Sequence, residues 1–134
     1  SAFFALERHQ GVAQCDRGKN PTTCRDKDAF AGSVHFWLIR HGESMNNILF
    51  AQVSSGSQQN YELARASDPG LSPRGMEQVR RLPEHAALAE LIRSGRPVDL
   101  YASPLRRAIE TAAPLQRVLP GTPPIHLRPE LTEL

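Results

Sequence analysis

The chain has 134 residues, 40% of them apolar, and a net charge of only +2. That is the length of one domain or less, with enough apolar content for a core. No apolar run approaches the ~20 residues a membrane-spanning helix requires, and the basic residues are scattered rather than gathered into a face that could follow a nucleic-acid backbone, so neither a membrane nor a nucleic acid is an expected partner.

Residues 1–33 read as a loop-rich N-terminal extension. "SAFFALERHQ" suits one or two turns of helix, and "CDRGKNPTTCRDKDAFAGS" is crowded with loop-forming Gly, Pro, Asn and Asp. Cys15 and Cys24 are too sparse for a disulfide scaffold and too few for a zinc site; free thiols are expected ahead of a bridge between them, which the spacing allows. Residues 34–39 form a short apolar run bounded by polar turns, the pattern of a buried strand. "MNNILFAQ" follows as a helix and "SSGSQQN" as a loop. Ser72 can cap a helix with Pro73 at its first position, and Met76, Val79 and Leu82 then recur at helical spacing. Pro83 should end or kink that helix, and "EHAALAELIRSG" continues it to a C-terminal glycine, Gly95. "PVDLYAS" is a second strand. Ser103 and Pro104 repeat the start signal for another helix, with a bend expected at Pro114, and "PPIHLRPEL" is a third strand. Strands alternating with helices imply an α/β fold with a parallel sheet.

In such a sheet, ligands bind beyond the carboxyl ends of the strands. Arg40-His41-Gly42 leaves the first strand, and the segment from Ser103 to Arg107 leaves the second at a helix start, where free N–H groups and the helix dipole favour an anion. If both lie at one edge, Arg40, His41 and Arg107 converge on a phosphoryl group. The arginines would hold its oxygens, Gly42 would let the backbone pass close, and the imidazole would act as nucleophile. On residue chemistry alone the pattern supports an anion site more strongly than any one reaction. Arg106 fits a solvated helix face, and His9, His35, His85 and His126 fit structural or surface roles.

"LIRHGES" with Asn47, "DPGLSPRGMEQ" through Asp68, Leu71, Ser72, Gly75 and Gln78, and "SPLRRAIETA" together resemble the ordered motifs of the histidine phosphatase superfamily, the phosphoglycerate-mutase-like proteins. The resemblance covers residues 34–134 and implies a three-layer sandwich, a mostly parallel sheet flanked by helices, incomplete in this chain. It implies that His41 is phosphorylated in turnover, that Arg40 and Arg107 grip the phosphoryl group, and that Asn47 contacts phosphate or substrate. Asn46 stands where many relatives carry a bulky residue and would alter the near wall of the pocket. Leu131-Thr132-Glu133 resembles the family's Leu-x-Glu motif, which makes Glu133, ahead of Glu130, the proton donor to the leaving oxygen. No residue matches the family's late Gly-His. The expectation is therefore a C-terminally truncated fragment, poorly stable and nearly inactive by itself, of an enzyme. That enzyme would be a phosphatase hydrolysing a phosphomonoester, with a mutase and a non-catalytic anion-binding relative as alternatives. The expected partner is a phosphorylated small molecule, or else a phosphoprotein. No metal or other cofactor is implied, and the cytoplasm is the default compartment.

Overall fold

The computed structural model describes residues 2–8, 34–53 and 58–132. Among them, four strands form one sheet in the order β2-β1-β3-β4. β1 is Ala2–Arg8, β2 Val34–Arg40, β3 Val98–Ala102 and β4 Ile125–Leu127. The α/β class expected from the sequence is what the chain adopts. β3 and β4 pair in parallel. β2 and β3 also point the same way, because β1 pairs antiparallel with each of them.

The first residues are thus a strand rather than the expected helical turns. Ala-Phe-Phe-Ala-Leu is an unbroken apolar run with no period to separate helix from strand, and pairing on both sides decides the outcome. Cys15 and Cys24 lie outside the described residues, as does Glu133 at the other end.

The helices are α1 Met45–Val53, α2 Gln58–Ala64, α3 Pro73–Arg81, α4 Ala86–Ser94 and α5 Arg106–Val118. α2 falls partly where a loop was expected. Gln, Glu, Leu and Ala are good helix formers, and Tyr61 packs edge-on against Phe50 of α1 with ring centroids 5.4 Å apart. α3 starts as predicted: Ser72 caps it by accepting the Gly75 N–H at 2.9 Å, with Pro73 in the first turn. Leu82–Glu84 form a 3-10 turn at Pro83, so the proline breaks the helical run and α4 follows. α4 ends on Gly95 in the left-handed conformation, φ 66°.

β3 shows strict alternation. Val98, Leu100 and Ala102 are buried, while Asp99 and Tyr101 face the other way. The buried set packs with Leu88 and Leu91 of α4 and with Ala112 and Leu115 of α5, and Trp37 and Ile39 of β2 border the cluster. Full burial of Leu100 and Leu115 contributes roughly 1.5–3 kcal/mol each. β2 differs from the expected buried strand. It lies at the sheet edge, and Val34, Phe36 and Leu38, which alternate with Trp37 and Ile39, are 46%, 69% and 69% exposed.

For the site, the register matters most. Phe3 of β1 pairs with Ile39 on one side and with Ala102 on the other. The carboxyl ends of β2 and β3 therefore reach the same end of the sheet, with β1 between them.

Candidate active site

From that end, Arg40 and His41 leave β2 and Ser103 begins the link to α5. His41 is half-buried beneath a small cavity of about 300 Å³ that opens to solvent and is lined by Arg40, His41, Gly42, Glu43, Asn47 and Gln78. The His41 Nδ1 atom lies 2.6 Å from the carbonyl oxygen of Gly42. A carbonyl only accepts, so Nδ1 carries the hydrogen and donates it; in the neutral ring the lone pair is then on Nε2. Burial holds the imidazole pKa below its ordinary 6.5. The Gly42 carbonyl opposes that shift, and the positive charges of Arg107 and Arg40 add to it. The ring is thus kept neutral near pH 7.

Two amides in the cavity wall have their orientation set in the same way. Asn47 Oδ1 accepts the Ser44 backbone N–H and the Ser44 hydroxyl, both at 2.9 Å, while the Asn47 N–H reaches Ser44 Oγ at 3.3 Å. This reciprocal cap starts α1. Gln78 Oε1 accepts the Glu43 N–H at 2.9 Å. A backbone N–H can only donate, so in each side chain the oxygen is consumed and the NH2 remains as a donor. Among the described residues, Glu43 is the one carboxylate in this wall. Its Oε1 accepts the Ser72 hydroxyl at 2.7 Å, and Arg74 stands 3.9 Å from Oε2. The rest of the wall offers the Arg40 guanidinium and the N–H donors of Asn47 and Gln78, which suits an oxyanion.

The loop that carries His41 is clamped from two sides. From α5, Thr111 is fully buried; its hydroxyl donates to the Arg107 carbonyl at 2.7 Å and accepts the Gly42 N–H at 3.2 Å. From α3, Ser72 N–H donates to the Glu43 carbonyl at 2.8 Å. Two glycines permit that approach. A Cβ on Gly42 would lie 2.7 Å from the Gly75 carbonyl oxygen, and one on Gly75 would overlap the Glu43 carbonyl oxygen. Gly75, Gln78 and Thr111, which belong to the sequence motifs but carried no assigned role, all act on this loop. Helical spacing places Gly75 and Gln78 on one face of α3, a signal readable in the sequence once the contact is known.

Arg107 is half-buried in the first turn of α5, and its charge acts on His41. Arg106 beside it is exposed and pairs with Glu110 at 2.7 Å, as its solvated reading implied. α5 begins two residues later than the Ser103-Pro104 signal suggested. Ser103 is buried and accepts the Leu105 N–H at 3.3 Å, and the Arg106 N–H is capped from a distant loop by Asp68 Oδ1 at 2.9 Å. Asn46 does not form the cavity wall; its amide exchanges two hydrogen bonds with the backbone of Ala66, at 2.8 and 3.1 Å. His35 stacks on Trp37, His126 lies 5.3 Å from Tyr101, and His85 precedes α4. None of these three lines the cavity. Among the described residues no group of three or more His, Cys, Asp or Glu could hold a metal ion, and no helix is long and apolar enough to cross a membrane.

A neutral imidazole thus lies under a donor-lined cavity at the carboxyl ends of the strands of an α/β sheet. The sequence profile of the histidine phosphatase superfamily, branch 1, matches residues 36–134, and the chain belongs to that family of phosphatases and mutases. No curated protein and no solved structure matches the chain significantly.

Proposed function

We propose that this protein is a phosphatase that hydrolyses a small phosphomonoester through a phosphohistidine on His41. The observation that carries the reading is the His41 tautomer: Nδ1–H is engaged by the Gly42 carbonyl, so the Nε2 lone pair is available for attack. Arg40, Arg107 and the Asn47 amide hold the phosphoryl oxygens while charge redistributes during transfer. The N–P bond forms as the bond from phosphorus to the leaving oxygen breaks, and that oxygen takes a proton from Glu133. Water then attacks phosphorus, the N–P bond breaks, phosphate departs and the proton from water returns to Glu133. The opening of the cavity to solvent favours water over a second substrate hydroxyl as acceptor.

The test is labelling with a radioactive phosphomonoester followed by rapid quenching. The wild type should carry acid-labile, alkali-stable phosphate, and His41→Ala should carry none. Phosphate release by an unlabelled wild type, or label that persists in His41→Ala, removes the proposal.

A further inference from the structure

The Gln78 amide has a consequence for substrate choice that rests on the phosphatase reading. Its Oε1 is tied to the Glu43 N–H, and among the described residues its Nε2 has no hydrogen-bond partner. The side chain is exposed and lines the cavity, so its NH2 is open to a ligand that enters there. It arrives from α3, whereas Arg40 and His41 come from β2, Asn47 from α1 and Arg107 from α5. The transferring PO3 group has four heavy atoms and occupies on the order of 100 Å³, taking about 30 Å³ per water-sized group. A cavity of about 300 Å³ therefore holds the phosphoryl group together with a good part of the alcohol it leaves.

We infer that Gln78 is a specificity-determining residue: its amide N–H binds an oxygen of the leaving group, so the preferred substrates are phosphomonoesters of oxygen-rich alcohols such as polyols or sugars. A neutral donor suits a hydroxyl or carbonyl oxygen, while the cationic groups serve the phosphoryl dianion. A second hydrogen bond, from the Glu43 backbone to Oε1, holds the amide in the required orientation, so little ordering cost falls on binding.

The test compares glycerol 2-phosphate, whose leaving group bears two hydroxyls, with phenyl phosphate, whose leaving group bears no oxygen beyond the bridging one. In Gln78→Met, kcat/KM for glycerol 2-phosphate should fall about fivefold further than for phenyl phosphate, the effect of one lost hydrogen bond, while any loss common to both substrates reports the lost contact with the Glu43 N–H. Gln78→Glu keeps an acceptor for the Glu43 N–H but offers no donor at neutral pH; its charge disfavours both phosphate esters, and the ratio of kcat/KM for glycerol 2-phosphate to that for phenyl phosphate should again fall about fivefold. Equal losses on both substrates in each variant would mean that the side chain only positions the loop, and would overturn the inference. Indifference of both substrates to both substitutions would overturn it too, while leaving the phosphatase reading intact. A wild type that turns over neither substrate removes both.

Discussion

His41 shows how much one contact decides. Were Nδ1 unpaired, either tautomer would be open to the ring; the 2.6 Å approach to the Gly42 carbonyl selects the one that frees Nε2. Burial and the charges of Arg107 and Arg40 lower the pKa, so the neutral form persists above that lowered value and the Nε2 lone pair is lost by protonation as pH falls through it. Removing one cation changes two observables in known directions. Arg107→Gln should lower kcat/KM roughly 100-fold, the scale for losing one transition-state donor. It should also move the acid limb of the pH–rate profile upward, toward 6.5, because a charge that disfavours imidazolium is gone. A lowered rate with an unmoved acid limb would show that Arg107 does not set the His41 charge state. That the charges of Arg40 and Arg107 reach His41 was legible as a pattern of residue types at two strand exits. The tautomer was not, since it depends on where one carbonyl points.

Between elements, a short polar circuit ties α5 to the loop that leads into α3. Glu110 accepts Arg106 Nε at 2.7 Å through Oε1 and the Leu71 N–H at 2.6 Å through Oε2, and Asp68 caps the first turn of α5. Burial alone would raise the Glu110 pKa. The Leu71 N–H and the Arg106 guanidinium outweigh it and hold the carboxyl below its usual 4.5. A depressed carboxylate stabilises the fold above its unfolded pKa, and that contribution is lost as pH falls through the folded value. Glu110→Ala leaves the Leu71 N–H without this acceptor and should cost about 1–3 kcal/mol at pH 7, measured by urea denaturation. The difference from wild type should shrink in strongly acidic buffer. A difference independent of pH would mean that packing, not the carboxylate, carries the effect. The circuit also explains why one helix start was read correctly from sequence and the other was not. Ser72 caps locally, through a bond to Gly75 three residues on, and local chemistry is what a sequence displays. The α5 cap comes from Asp68, 38 residues away, so Ser103-Pro104 announced a helix but misplaced its first residue.

At the scale of the molecule, the two halves of the site ride on strands that do not touch. β2 carries Arg40 and His41 at its end, β3 leads to Arg107, and β1 lies hydrogen-bonded between them. Order and strand direction for residues 34–134 followed from the alternation of apolar runs with helix signals. The place of β1 did not, because its partners lie ~30 and ~95 residues away and only the assembled sheet selects strand over helix. The exposed row of Val34, Phe36 and Leu38 escaped for a related reason: an unbroken apolar run looks the same whether one face or both are covered. If β1 sets the spacing of the site, damage to its backbone must reach the anion cavity. Ala5 pairs with Trp37 of β2 and Leu100 of β3, at the centre of the sheet, where proline is not accommodated because it has no N–H to give the ladder. Ala5→Pro should lower stability by roughly 1–3 kcal/mol, one unmatched backbone group, and Tm by roughly 4–10 °C. Its affinity for inorganic phosphate should fall at temperatures where the protein is still folded, because Arg107 no longer keeps its place beside His41. Ala5→Val, which suits a strand, should leave both properties near wild type. Unchanged Tm and phosphate affinity in Ala5→Pro would show that β2 and β3 hold the site together without a strand between them.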